Sequence, residues 1–359
     1  MARFSDVLTI INGKNQSKVE NPNGRYPIYG SGGIMGFADE YICEPETVII
    51  GRKGNINKPI FVETPFWNVD TAFGLCARQD VLIPKYLYYF CECFNFEKLN
   101  TTVTIPSLTK ANLLNVEINL PDLKTQVLIV SELDKITDLI NKRKQQLSKL
   151  DELVKARFVE LFGDQKTNPY NLEVGKLSDV ADIYLGLTHT PTYVEQGRPF
   201  LSVRDISSGV IDFSNCHYIT EEEFDSLPKG ARPQAGDMLF CRVGTIGKPV
   251  IIPENTPEFG TFVSVGYLRK KTNVNNCYLK AWMENEYFMR QVYDNVAGAS
   301  QINLNTGWLK NFRILVPPLE LQNTFEAFVE QTDKSKLEVQ KSLEKLELLK
   351  KALMQKYFG

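Results

Sequence analysis

The sequence predicts an α/β chain of the mixed α+β kind, built as a repeat of two strand-rich domains, each followed by a long helix, with the two helices pairing as a coiled coil. Three observations lead there: the chain is written twice, each copy opens with short β-type runs broken by glycine and proline, and each copy closes with a sustained helical period. Ser5, Asp6, Val7, Ile10 and Gly13 recur as Ser178, Asp179, Val180, Ile183 and Gly186. Arg52, Gly54, Ile56, Lys58 and Pro59 recur as Arg242, Gly244, Ile246, Lys248 and Pro249. Leu113, Asn115, Ile118, Pro121, Leu123 and Gln126 recur as Leu309, Asn311, Ile314, Pro317, Leu319 and Gln322, and the two copies end alike at Phe162-Gly163 and Phe358-Gly359. The offset between the copies only grows along the chain, as insertions in the second copy would make it.

In chain order the first element is a domain over residues 1–121, with strand-like runs such as Thr47-Val48-Ile49-Ile50. β-branched and aromatic residues between Gly, Pro and Asn clusters read as strands and turns. A helix over 122–163 follows Pro121. Its apolar residues Ile129, Leu133, Ile136, Ile140, Leu147, Leu150, Val154 and Leu161 lie on one seam, which Arg143 and Arg157 interrupt. A second domain spans 164–316, with the run Phe259-Gly260-Thr261-Phe262-Val263. The second helix spans 317–359 and carries Phe325, Val329, Val339, Leu343, Leu346, Leu353 and Tyr357 on its seam, broken by Thr332, Lys336 and Lys350. Neither helix has an interior Gly or Pro, and each ends at a glycine, the residue favoured just past a helix C-terminus. About 40 residues at 1.5 Å each make roughly 60 Å of helix. A helix that long with one narrow apolar stripe needs a partner, and the other copy supplies it. Leu133, Ile136, Ile140, Leu147, Leu150, Val154, Val339, Leu343, Leu346 and Leu353 are the expected pairing residues.

Composition narrows the function. With 359 residues, 43% hydrophobic and 23% charged, the chain suits two folded domains. No apolar run approaches the roughly 20 residues of a membrane span, and Arg3, Ser5 and Asp6 stand where a secretory signal needs an apolar core. The expectation is a cytoplasmic protein without membrane association. Seven cysteines are scattered, and Cys91 and Cys93 are too close for a zinc knuckle, so reduced thiols and no metal are expected. The net charge of −2 confines any nucleic-acid contact to local patches.

Catalytic motifs are incomplete. His189 and His217 occur in one copy only. Gly30-Ser31-Gly32-Gly33-Ile34-Met35-Gly36 places its third glycine one residue late for a dinucleotide loop, and Gly244-Thr245-Ile246-Gly247-Lys248-Pro249 has proline where a phosphate loop needs Ser or Thr for magnesium. Amino-methylation of a base calls for Asn or Asp, two prolines and an aromatic. Val316-Pro317-Pro318-Leu319 and Asn168-Pro169-Tyr170 each fall short of it. The chain is expected to be no enzyme by itself.

Gly24-Arg25-Tyr26-Pro27-Ile28-Tyr29-Gly30-Ser31-Gly32-Gly33-Ile34, the block Gly236-Asp237-Met238-Leu239-Phe240-Cys241-Arg242-Val243-Gly244-Thr245-Ile246-Gly247, and the endings Arg157-Phe158 through Phe162-Gly163-Asp164 resemble type I restriction-modification specificity subunits. The resemblance covers essentially the whole chain and rests on the repeat more than on any one motif. It implies two target-recognition domains, each reading one half of a split site in double-stranded DNA, separated by two long antiparallel helices that dock two modification subunits. It also implies that those partners bind S-adenosylmethionine and methylate adenine, and that restriction subunits add ATP- and Mg-dependent cleavage. A duplicated domain-plus-helix unit also fits a non-enzymatic structural or adaptor protein. Departures are Glu46-Thr47 against Gly236-Asp237, and Ile105-Pro106-Ser107 against Ser300-Gln301-Ile302-Asn303.

Within that resemblance the repeat sorts the candidate DNA-binding residues. Positions identical in both copies cannot read two different half-sites, so Arg52 with Arg242 and Lys58 with Lys248 are expected as framework or phosphate contacts. Positions that differ in aligned loops are the base-reading candidates: Tyr29, Ser31, Lys53, Asn55 and Asn57 in the first copy, Arg204, Asp205, Thr245, Gln301 and Asn303 in the second.

Overall fold

The computed structural model describes residues 1–99, 107–296 and 302–359. It is a mixed α/β chain. The first copy contributes β1 (Ala2–Arg3), α1 (Phe4–Val7), β2 (Leu8–Asn12), β3 (Tyr26–Gly30), β4 (Gly33–Ala38), β5 (Thr47–Gly51), β6 (Ile60–Val62), β7 (Trp67–Asn68), β8 (Ala72–Ala77), α2 (Pro84–Cys93), α3 (Lys110–Leu114), β9 (Glu117–Ile118) and the long α4 (Leu123–Phe162). The second contributes β10 (Glu173–Lys176), α5 (Leu177–Val180), β11 (Ala181–Leu185), β12 (Arg198–Leu201), β13 (His217–Ile219), α6 (Glu221–Ser226), β14 (Met238–Cys241), β15 (Val250–Ile251), β16 (Gly260–Thr261), β17 (Val265–Lys270), α7 (Asn276–Glu284), α8 (Glu286–Asn295), α9 (Thr306–Lys310), β18 (Arg313–Val316) and the long α10 (Leu319–Phe358).

The repeat read from residues is a repeat of topology. One sheet has the order β2-β8-β5-β6 and its counterpart β11-β17-β14-β15; a smaller sheet, β4-β3-β7, is matched by β13-β12-β16. Central β5 is buried along its whole length, whereas edge strand β2 buries Leu8 and Ile10 and exposes Thr9. A strand covered on both faces has no polar side to present. The growing offset has a visible origin. Ser31 and Gly32 alone link β3 to β4, while residues 202–216 link β12 to β13, and α6 has no counterpart helix among the described residues of the first copy.

Small local bonds are duplicated as well. Arg3 N–H donates to Asp6 and Lys176 N–H to Asp179, closing the first helical turn of each copy. Gly236 at the start of β14 adopts φ +81°, and Glu46 at the start of β5 adopts φ +58°. The Glu46/Gly236 departure is thus one left-handed turn made with two residue types.

Contact density divides the chain into two compact units, residues 1–145 with 339–359, and residues 146–338. Each unit holds one strand-rich domain, part of that copy's own helix, and part of the other copy's helix. In the first unit, Glu132 meets Tyr357 at 2.5 Å and Lys144 meets Glu347 at 3.1 Å, so α4 and α10 run antiparallel. In the second, Asp151 pairs with Lys336 at 2.7 Å and the ring of Phe158 lies 5.6 Å from that of Phe325, again antiparallel.

The shared helix ends explain the aromatic endings of both copies. Phe358 packs edge-on against Tyr86 of α2 at 5.0 Å, and Phe162 against Tyr278 of α7 at 4.8 Å. Tyr86 and Tyr278 in turn donate to the carbonyls of Asn119 and Leu315. Gly163, at φ +69°, ends α4 in the left-handed turn that the sequence predicts.

Seam burial is graded. Leu133, Ile136, Ile140, Val339 and Leu343 are buried; Leu147, Leu150, Val154, Leu346 and Leu353 are half-buried. Between Ile140 and Phe158 no residue of α4 is fully buried, because a single partner helix covers only a strip of its surface. The polar interruptions of α10 are satisfied: Lys336 by Asp151, Lys350 by Glu92 at 3.0 Å, and Thr332 by the carbonyl of Phe328 one turn back. Among the described residues no helix is long and apolar enough to cross a membrane, and no cluster of His, Cys, Asp and Glu could hold a metal ion. All seven cysteines are free, and burial pushes the Cys43 thiol up to about 12.

Candidate nucleic-acid interface

Each domain presents one loop built on the same backbone plan. Buried β5 ends at Gly51, where a Cβ would come within 2.5 Å of the Asn55 carbonyl, so the chain can double back only without a side chain. Arg52 N–H donates to Thr71 O, the Arg52 carbonyl accepts from Leu108 N–H, and Ile56 N–H closes the turn onto Gly54, whose φ is +76°. Lys53 bridges to Ser107. The buried Ile56 side chain anchors the loop in the core.

The second copy repeats this bond for bond. Arg242 N–H donates to Ser264 O, its carbonyl accepts from Leu304 N–H, Val243 bridges to Asn303, and Ile246 N–H bonds the carbonyl of Gly244, whose φ is +74°. The two loops carry Arg52, Lys53 and Lys58, and Arg242 and Lys248, with no acidic residue in either. A net-negative chain thus concentrates positive charge on two rigid loops.

The candidate residues divide by placement. Arg52, Lys53, Asn55 and Lys58 are exposed on the first loop, and Lys248 and Asn303 on or beside the second, with Thr245 half-exposed. Ser31 lies against the first loop, since a Cβ on Gly51 would sit 3.0 Å from its own. Arg204 is exposed and donates to Asn215 O. Gln301 lies outside the described residues.

Other candidates are used by the fold. Asp205 is 3% exposed and accepts from the amide and hydroxyl of Ser202, closing a local turn. Asn57 accepts from Phe96 N–H and donates to Asn95. Tyr29 packs edge-on against Phe66, and its carbonyl holds Val69 N–H.

The identical pair Arg52 and Arg242 differs in use. Arg242 donates to the carbonyls of Leu304 and Val263 and to Asn303 Oδ1, and burial pushes its guanidinium below the ordinary arginine value. It is a strut. Arg52 is exposed, its guanidinium 5.9 Å from the Phe73 ring centre.

Sequence comparison marks Gln126 and Gln322 as repeated without giving them a role. Both are fully buried. Gln126 accepts from Ile83 N–H and donates to the carbonyls of Val81 and Pro121; Gln322 accepts from Asn275 N–H and donates to those of Asn273 and Pro317. Each ties the start of a long helix to the start of α2 or α7, so the loops are held on a fixed frame.

Two equivalent α+β domains on paired long helices, each with the same rigid cationic loop, define a duplicated recognition module. Residues 1–149 match the family described as type I restriction modification DNA specificity domain. The chain is 24% identical, over 86% of its length and 80% of the relative's, to the putative type I restriction enzyme specificity subunit S.HindORF215P of Haemophilus influenzae. It is 23% identical, over 99% of its length and 90% of the relative's, to the type I restriction enzyme MjaVIII specificity subunit of Methanocaldococcus jannaschii. The fold is similar to the crystal structure of the type I restriction-modification S subunit from M. genitalium, with a TM-score of 0.61 at 14% identity, covering 100% of this chain and 95% of that one. Residues 1–149 thus carry the type I restriction modification DNA specificity domain, and over nearly its whole length the chain is similar to type I restriction enzyme specificity subunits.

Proposed function

We propose that this chain is the non-catalytic subunit that reads a bipartite sequence in double-stranded DNA and directs modification and restriction subunits to it. The domains over 1–121 and 164–316 serve as target-recognition domains, and the helices over 122–163 and 317–359 as spacer and docking surface for two modification subunits. The observation that carries the reading is the pair of loops at Arg52–Lys58 and Arg242–Lys248: the same backbone plan twice, cationic, and different at the residues facing solvent. Cations on a rigid loop meet phosphates, and unlike neighbours beside them read unlike bases. S-adenosylmethionine, ATP and magnesium belong, in this reading, to the partner subunits, and the complex works in the cytoplasm.

Two domains reading major-groove segments about one helical turn apart, with three or four base pairs read by each, leave roughly six unread pairs between them. The test is to express the chain with its modification subunit and map methylated adenines across a genome. The expected product is one interrupted, asymmetric sequence. A continuous sequence, or methyl transfer by this polypeptide alone, overturns the proposal.

A further inference from the structure

The first domain carries an exposed apolar surface that the loop cations do not account for. β3 and β4 form a hairpin whose register shifts between Ile28 and Tyr29. On β4, the consecutive residues Ile34 and Met35 are 58% and 61% exposed. A bulge of this kind re-aims side chains out of the strand's alternation. The Met35 thioether lies over Gly30, where a Cβ would come within 2.6 Å of its sulfur, and Gly32 and Gly33 leave the tip open, with nothing within 4 Å. The hairpin is held by Ile28 and Ala38, both buried, so the two exposed side chains contribute little to its folding.

The neighbourhood of this tip indicates its occupant. Ser31 at the turn packs where Gly51 hands the chain to the loop bearing Arg52, Lys53 and Lys58, so the apolar tip and the cationic loop adjoin. A ligand matching both offers regularly spaced negative charge with apolar points between. The major groove of DNA offers this at thymine, whose 5-methyl group projects beside the phosphates. The second domain is built differently. Residues 202–216 replace the tight turn, presenting Arg204 and the serines at 207 and 208, with Val210 the exposed large apolar side chain among them.

Resting on the DNA-reading function proposed above, we propose that Ile34 and Met35 are specificity residues that pack against thymine methyl groups in the half-site read by the first domain. That half-site therefore contains an A·T pair where they meet it. The experiment uses the full chain in complex with its modification subunit and duplexes carrying the mapped site, with each thymine replaced in turn by deoxyuridine, which lacks only the methyl group. One or two replacements within a single half-site should weaken binding roughly four-fold each, the effect of exposing one buried methyl. The Ile34→Ser/Met35→Ser double variant should bind with less than about two-fold sensitivity to the same replacements, and Met35→Leu should restore it. Unchanged binding of every deoxyuridine duplex, sensitivity that persists in the double variant, or half-sites without an A·T pair would each overturn the inference while leaving the DNA-reading function standing. Loss of the modification subunit from the double variant, with no deoxyuridine sensitivity in the unsubstituted complex, would assign the tip to a protein partner and overturn it too. A complex that binds no specific duplex overturns both.

Discussion

Replacing Gln126 with leucine tests the tie between recognition domain and helix. Leucine nearly fills the volume but cannot bond, so Ile83 N–H and the carbonyls of Val81 and Pro121, each 2.9 Å from the amide, lose their partner together. Gln126 is fully buried, so water cannot substitute without opening the joint. An unsatisfied buried group costs about 1–3 kcal/mol. The apolar gain from leucine offsets roughly 1–2 kcal/mol, and the carbonyls relax more readily than the amide, so the net loss should be about 2–4 kcal/mol. For a unit of this size that lowers Tm by roughly 5–15 °C. Thermal unfolding followed by circular dichroism reads it directly. Gln322→Leu removes the same three bonds from the second copy and should cost a similar amount, while Gln126→Glu, which keeps the acceptor and buries a charge, should cost more. Melting of Gln126→Leu within about 0.5 kcal/mol of the parent would refute the view that these bonds hold the helix to the domain.

The two arginines should separate cleanly. Arg242→Ala removes a half-buried strut and should cost about 2–3 kcal/mol of stability, whereas Arg52→Ala should leave melting unchanged, weaken DNA binding, and reduce the slope of log K against log salt by about one; equal loss of stability in both would contradict their different placement. On the helices, Leu343→Asp buries an unpaired charge and should cost about 3 kcal/mol or more, against about 1–2 for half-buried Leu147→Asp, as read by urea unfolding; a reversed order would refute the graded seam. Glu46→Gly relieves a left-handed residue and should raise stability by about 0.5–1 kcal/mol. A fall in Tm for that variant would mean that the Glu46 side chain matters more than its backbone.

Periodicity and repetition are properties of the chain itself, which is why so much of the architecture could be read without coordinates. The helical period from Ile129 to Leu161, the glycine at 163 and the paired Phe-Gly endings mark the helices, and the recurrence of Arg52 to Pro59 at Arg242 to Pro249 marks equivalent loops. What recurrence cannot supply is environment. Arg52 and Arg242 are the same residue in the same turn, yet Val263 and Asn303 surround only the second. Asp205 reads as a polar loop residue and is buried by Ser202. Ile34 and Met35 read as an ordinary strand and are turned outward by a bulge.

The sequence by itself determined the duplication, the class of elements and the order in which they occur, because backbone propensity and apolar period act over neighbouring residues. Only the tertiary structure decided that Tyr86 receives Phe358 and Tyr278 receives Phe162. Each domain is completed by the end of the other copy's helix. The physical reason is that an apolar stripe specifies how much surface must be covered, and every 40-residue stripe of leucine and phenylalanine looks alike in one dimension; which surface covers it is settled by the packing of aromatic rings far apart in the chain.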